Sequence, residues 1–376
     1  MAASSNSTII PTELSRYARH LALDEVGLKG QQQLKSSSVL IVGAGGLGSP
    51  ATLYLSAAGV GRIGIADYDM VAITNLQRQV LHGTDSLGTA KTESAQARIA
   101  NLNPHTNVET WGELTGQNAL EIIGKYDVVV DGSDNFPTRY LLNDACRLTG
   151  TPLIYGTVYR FEGQVTVFNE GGPCYRCLFP EPPPAEAVPS CSTGGVLGVV
   201  PGIIGTLQAT EALKYILKIG ENLVGRLVLV DTLTLRFDEI SVQRNRSCPL
   251  CGDEPTITSL IDYEDFCGTR HAPVVPTITA AELAAIIDEV ILIDVRENWE
   301  RAIAVIDTAI NIPEGELPNQ IKLLPTGKPL ILYCRSGVRS ARSTDLLLSS
   351  GFDDVRNLTG GILAWADEID QGMAKY

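Results

Sequence analysis

The sequence predicts two α/β domains in tandem: a doubly wound, mostly parallel sheet, then a smaller α/β unit. Three observations predict this. Residues 38–42, Ser-Val-Leu-Ile-Val, form a short β-branched run that ends in a glycine turn and a helix, as a βα unit begins. Strand and helix signals then alternate to about residue 231. After a polar stretch without period, a second alternation starts near residue 291.

Residues 1–34 read as a helical arm that includes Arg16-Tyr-Ala-Arg-His20. The first domain spans 35–252. Its helices are expected at 49–58, 91–101, 138–148 and 203–219, and its strands at 38–42, 61–67, 127–131, 152–156 and 227–231. Residues 163–168 look like part of a hairpin, and 181–189 form a proline-rich loop. Residues 253–275 read as the linker. The second domain, 276–376, has strands at 291–294 and 330–333 and a helix at 339–349.

The chain has 376 residues, 44% hydrophobic and 19% charged, enough for two or three ordinary cores. A net charge of −14 argues against nucleic acid and against anionic membrane surfaces as partners. The first eight residues lack a charged segment followed by an apolar core, and no apolar run is long enough to span a bilayer. A cytoplasmic, reducing location is therefore expected. There, the eight cysteines are better suited to metal binding or chemistry than to structural disulfides.

Gly43-Ala-Gly45-Gly46-Leu-Gly48 follows the first strand and opens a helix, where backbone amides can approach phosphate. Asp67 ends the next strand, where an acid can bind ribose hydroxyls. This Rossmann-like pair fits an NAD-linked oxidoreductase as well as an ATP enzyme. Arg19, Arg78 and Lys91 separate the two readings, because three cations suit a triphosphate. Asp134, beside Asn135 and past the end of an apolar strand, suits Mg2+.

The ordered set Arg16-Tyr-Ala-Arg19, Gly43–Gly48, Asp67-Tyr-Asp69, Asn75-Leu-Gln-Arg78-Gln, Lys91 and Ser133-Asp134-Asn135 resembles the ubiquitin-activating-enzyme-like adenylyltransferases. The most similar branch activates sulfur carrier proteins for molybdopterin and thiamine synthesis. The resemblance implies a homodimer formed through this domain, with Arg19 reaching the partner's active site. It implies that Asp67 binds ribose, that Asn75, Arg78 and Lys91 serve the nucleotide, and that Asp134 holds magnesium during attack on the α-phosphate. Acyl adenylation brings two anions together, so neutralisation and positioning carry the catalysis.

Cys174-Tyr-Arg-Cys177 and Cys248-Pro-Leu-Cys251 are two C-x₂-C pairs, and four thiolates suit a closed, structural Zn2+ site. Two unrelated redox pairs are the alternative. Cys191, in Ser190-Cys-Ser-Thr-Gly-Gly195, has no such partner and is a candidate nucleophile, the alternative being a dispensable thiol. Cys146 reads as core, and Cys267 falls in the linker.

Cys334-Arg-Ser-Gly-Val-Arg339-Ser lies between a strand and a helix, where loop amides and a helix N-terminus favour an anion. From residue 276 onward there are 15 acids and 9 bases, yet Arg335, Arg339 and Arg342 cluster near Cys334. That local charge is expected to stabilise sulfur carried as an anion. With Ile293-Asp-Val-Arg-Glu297, Ala309-Ile-Asn-Ile-Pro313 and Gly360-Gly-Ile-Leu-Ala-Trp365, this region resembles the rhodanese family of sulfurtransferases. One departure is Ala304-Val-Ile-Asp307, where the family usually has Gly-His-Ile.

Together the resemblances imply adenylation of the C-terminal glycine of a small ubiquitin-like sulfur carrier protein. Sulfur would then pass from a Cys334 persulfide loaded by a donor such as a cysteine desulfurase. Molybdopterin synthesis is the first expectation for the pathway, with thiamine, cysteine and tRNA thiolation as alternatives. A non-catalytic scaffold for carrier proteins is the remaining class.

Overall fold

The computed structural model describes residues 8–182, 195–261, 263–267, 274–325 and 327–375. The chain divides into two compact units, Met1–Gly268 and Thr269–Tyr376.

Unit 1 opens with α1 (Pro11–Arg16), α2 (Ala18–Leu21) and α3 (Gly27–Ser36). Its sheet contains β1 (Ser38–Val42), β2 (Arg62–Ala66), β3 (Asn107–Trp111), β4 (Val128–Asp131), β5 (Leu153–Tyr159), β6 (Glu162–Phe168), β7 (Arg226–Asp231) and β8 (Arg236–Ser241). The spatial order is β3-β2-β1-β4-β5-β6-β7-β8. β1 to β5 pair in parallel, and β6 to β8 continue the sheet antiparallel.

β1 is buried along its whole length, because a parallel strand needs cover on both faces. Val39 and Ile41 join one core, while Leu40 and Val42 join the core on the other face. The chain winds outward from β1 to β3, then returns to place β4 on the other side of β1. That reversal is a topological switch point, where a crevice opens beyond the strands' carboxyl ends. Helices α4 (Gly48–Ala58), α5 (Lys91–Leu102), α6 (Ala119–Ile123) and α7 (Phe136–Thr149) belong to this winding. A long helix, Val199–Leu217, packs along α4 and β5.

Part of the stretch read as linker is folded onto unit 1. Leu260, Ile261, Tyr263, Phe266 and Cys267 pack against the core that holds Tyr140 and Tyr175. The aromatic residues explain this, because they bury apolar area that the polar residues around them concealed in the sequence pattern.

Unit 2 has five parallel strands: β9 (Thr277–Ile278), β10 (Ile291–Asp294), β11 (Ile310–Asn311), β12 (Leu330–Tyr333) and β13 (Val355–Leu358). Their order is β11-β10-β12-β13-β9. Ile331 and Tyr333 of β12 face one core, and Leu330 and Leu332 face the other. Among the described residues, no helix is long and apolar enough to cross a membrane.

Candidate active site

In unit 1 a cleft opens at the switch point. Its floor is the glycine turn after β1. The Gly43 N–H donates to Ala66 O at 2.8 Å, and the Gly132 N–H donates to Val42 O at 2.7 Å, so the ends of β1, β2 and β4 are tied together. Gly43 has φ +90°, and a Cβ there would stand 2.6 Å from the Gly132 carbonyl oxygen. A Cβ on Gly48 would stand 1.8 Å from the Gly43 oxygen. These two glycines let the turn close tightly before α4.

Asp67, Arg78, Lys91, Asp134 and Asn135 line this cleft together with Gly43, Gly45 and Gly46. The Asp67 carboxylate accepts from the backbone N–H of Ala44 through Oδ2 and from that of Asp69 through Oδ1, each at 2.8 Å. Each oxygen keeps a further acceptor position. Burial raises the Asp67 pKa, and the nearby Lys91 charge opposes that shift. Lys91 Nζ lies 2.7 Å from Asp69 Oδ2 and 4.0 Å from Asp67 Oδ2. Arg78 donates to Thr74 O at 3.0 Å. Asn135 caps α7 by accepting from Thr138 N at 2.9 Å, and the exposed Asp134 immediately precedes this cap.

Three residues of the sequence-derived set do not line the cleft: Gly48, which closes the turn into α4, Asn75 and Arg19. Asn75 accepts from the N–H of Ala72 at 3.0 Å and so caps its own turn. Arg19 is exposed on α2. Sequence reasoning missed Arg139, which is buried, lines the cleft and donates to Ser133 O at 3.3 Å. It also missed the fully buried Asp131, whose Oδ1 accepts from Ser133 N at 2.9 Å and Oγ at 2.6 Å. Burial raises the Asp131 pKa, and Arg139 opposes the shift. The Asp-x-x-Asp-Asn-x₃-Arg spacing of residues 131–139 was the available signal.

The four cysteines of the two pairs converge. Their sulfurs all lie within 4.8 Å of one another. Cys174 is 3.9 Å from Cys177 and 3.6 Å from Cys248, and Cys177 is 3.3 Å from Cys251. A tetrahedral zinc with bonds of about 2.3 Å places its sulfurs about 3.8 Å apart, so the cluster fits that ion. Four thiols this close cannot all ionise without a cation to offset their charge, and a divalent ion would supply it. Cys146 is a core residue whose thiol burial pushes well up. Cys191 lies outside the described residues.

In unit 2, Cys334 follows β12 and is 1% exposed. Its sulfur accepts from Gly337 N at 3.1 Å and from Ser340 Oγ at 3.4 Å. Gly337 takes φ +94°, which turns the loop into the helix Val338–Ser349. The Cys334 and Arg335 carbonyls accept from Ile362 N at 2.9 Å and Leu363 N at 3.2 Å, so the helix Gly361–Glu368 holds the loop from behind.

Two of the loop cations also have carboxylate partners. Arg339 makes a bidentate bond to Glu300, both contacts at 2.7 Å. Arg342 pairs with Glu314 at 3.0 and 3.2 Å. A mostly buried guanidinium needs a carboxylate, so Arg339 is braced by Glu300 while its charge still interacts with the Cys334 sulfur. Burial opposes the Arg339 charge, and the Glu300 bonds override it and raise its pKa. Backbone and hydroxyl donors, then, make the direct contacts to Cys334.

Residues 17–250 match the ThiF family, and residues 279–368 match the rhodanese-like domain. The chain belongs to the ThiF family. Within it, the chain is 43% identical over 386 residues to a probable adenylyltransferase/sulfurtransferase MoeZ of Mycobacterium tuberculosis, covering 98% of this chain and 97% of that protein. Identity is also 43% to the adenylyltransferase and sulfurtransferase MOCS3 of Sus scrofa, over 97% of this chain and 88% of the relative. A sulfur carrier protein adenylyltransferase of Thermus thermophilus is 55% identical over 69% of this chain and 98% of its own. Among solved structures, E. coli MccB in complex with N-formylated MccA superposes with a TM-score of 0.57 at 23% identity. That likeness covers 65% of this chain and 77% of the other, and it shows a shared fold.

Proposed function

We propose that unit 1 uses ATP to adenylylate the C-terminal glycine of a small ubiquitin-like sulfur carrier protein. Unit 2 then supplies sulfur from Cys334. The observation that carries this reading is the gathering of Arg78, Lys91 and Asp134 around a glycine turn, in a chain that also carries the Cys334 loop. The relatives named for both activities support it.

In the first step, the carrier's carboxylate attacks the α-phosphorus and pyrophosphate leaves. Gly43, Gly45, Gly46 and Gly48 shape the floor under the phosphates, and Asp67 accepts from the ribose. Arg78 and Lys91 neutralise the phosphates, and Asn75 supports the Arg78 turn. Asp134 and Asn135 stand where Mg2+ would be held, and the ion would draw charge from the leaving pyrophosphate. In a homodimer formed through this unit, Arg19 would serve the partner's cleft. Zn2+ on Cys174, Cys177, Cys248 and Cys251 would be structural.

In the second step, the terminal sulfur of a Cys334 persulfide attacks the acyl adenylate and AMP leaves. This gives an acyl disulfide between carrier and Cys334. Attack of the Cys191 thiolate on the Cys334 sulfur releases the carrier as a thiocarboxylate and leaves a Cys191–Cys334 disulfide for an external thiol to reduce. The persulfide itself would come from a donor such as a cysteine desulfurase. Molybdopterin synthesis is the pathway this reading favours.

The test mixes the chain, ATP, a persulfide donor and candidate carriers, and seeks the mass change of one oxygen replaced by sulfur. Failure to form an adenylate with any carrier would sink the proposal. Cys334→Ala should abolish sulfur transfer and spare ATP–pyrophosphate exchange. Loss of both would contradict the division of labour between the units.

A further inference from the structure

His82 has no role in the reaction described above, yet it is buried directly behind the glycine turn. Its Nε2 lies 2.9 Å from Ala44 O, and its Nδ1 lies 2.9 Å from Ser94 Oγ. A carbonyl oxygen only accepts, so Nε2 carries a proton. With the ring neutral, Nδ1 accepts from the Ser94 hydroxyl. Ser94 stands one turn after Lys91 on α5, so one helix supplies a cleft cation and the hydroxyl that holds the His82 ring in place. Burial lowers the His82 pKa, which agrees with a neutral ring.

Ala44 is held from both sides. Its N–H donates to Asp67, and its carbonyl accepts from His82. The second contact fixes more than Ala44. The Ala44 carbonyl and the Gly45 N–H belong to one planar trans peptide and point in opposite directions. Since the carbonyl is turned back onto His82, the Gly45 N–H is turned away from it. Gly45 lines the cleft, and its N–H has no hydrogen-bond partner among the described residues.

We infer that His82 is a positioning residue: by anchoring the Ala44 carbonyl it aims the Gly45 N–H at a phosphate of the bound nucleotide. The inference rests on the nucleotide reading of the cleft. It assigns to a side chain outside the cleft part of the preorganisation that a backbone phosphate donor needs. Loss of His82 leaves the Ala44 carbonyl buried without a partner, and the peptide is then free to rotate.

The test compares ATP and adenosine binding to the full chain, with adenosine read by competition. His82→Leu should weaken ATP about tenfold, the scale of one hydrogen bond to a charged group, and leave adenosine within about twofold. His82→Gln keeps a donor near the Nε2 position and should restore ATP binding to within about threefold. Ser94→Ala removes the Nδ1 partner and should give a smaller loss, again confined to ATP. Equal weakening of ATP and adenosine would assign His82 a general structural role and overturn the inference. So would unchanged ATP binding in His82→Leu, or a Gln variant as impaired as the Leu variant. If His82→Leu does not fold, Ser94→Ala decides: no ATP-selective loss overturns the inference. A wild-type chain that binds adenosine and ATP equally would remove the phosphate contact and the inference with it. One that binds neither would overturn the nucleotide reading itself.

Discussion

Arg176 lays its guanidinium flat against the carboxylate of Asp144, Nε at 2.8 Å and Nη2 at 2.7 Å, although it stands between two cysteines of the four-sulfur cluster. The Tyr263 hydroxyl donates to the same carboxylate at 2.9 Å. The guanidinium also sits 5.0 Å from the Tyr140 ring and 4.6 Å from the Phe266 ring. The four-cysteine cluster, α7 and the segment around 260–267 are thereby joined through one buried ion pair.

Both charges of that pair are almost fully buried, so removing one leaves the other without compensation. Arg176→Met should destabilise unit 1 by about 3–5 kcal/mol. Tyr263→Phe, which deletes one of several bonds to Asp144, should cost about 1–2 kcal/mol. Urea unfolding of the full chain, followed through the unit 1 transition, checks both. Equal midpoints for Arg176→Met and wild type would refute the coupling.

The four-sulfur cluster predicts about one zinc per chain. Cys248→Ser should lower the zinc content sharply and lower the unit 1 unfolding temperature. Transfer of sulfur from thiosulfate to cyanide by unit 2 should persist, because its loop draws its contacts from residues 300–363. Elemental analysis with calorimetry reads the first effect, and the cyanide assay reads the second.

The central architecture was legible because β1 and β4 are apolar runs buried on both faces. The edges were not. β3 reads Asn-Val-Glu-Thr-Trp and is partly exposed, and β8 reads Arg-Phe-Asp-Glu-Ile-Ser and is exposed throughout. Edge strands need little apolar area and so leave little trace in a hydrophobic pattern. The site follows the same logic. Asp67 and Lys91 stood out through local motifs, whereas the pairing of Arg339 with Glu300 was not legible because the two lie 39 residues apart. His82 escaped notice for the same reason, with Ala44 38 residues distant.

Glu300 fixes Arg339 through two parallel bonds and also accepts from the N–H of Glu297 at 3.0 Å. Glu300→Gln keeps the shape but replaces a charged acceptor with a neutral amide that cannot take both nitrogens. The helix that carries Arg339 also carries Ser340, a donor to Cys334. Misplacing it should reduce kcat/KM for sulfur loading about tenfold or more. ATP–pyrophosphate exchange should be unchanged. A variant with normal sulfur loading would show that Arg339 does not need its brace.

His82 also predicts a pH dependence. Its pKa is lowered from 6.5 in the folded chain, first by burial and then by the Lys91 charge, while Asp67 and the bond to Ala44 oppose the shift. Below about pH 6.5 the unfolded chain therefore binds a proton that the folded chain does not. Stability must fall as pH drops through that range and must be unaffected by this group well above it. His82→Gln removes the titration. The stability difference between wild type and His82→Gln should thus shift in favour of the variant as pH falls from 7.5 to about 5.5. Urea midpoints at matched ionic strength read that difference. A difference independent of pH would mean that His82 binds its proton equally in both states, against its burial behind the glycine turn.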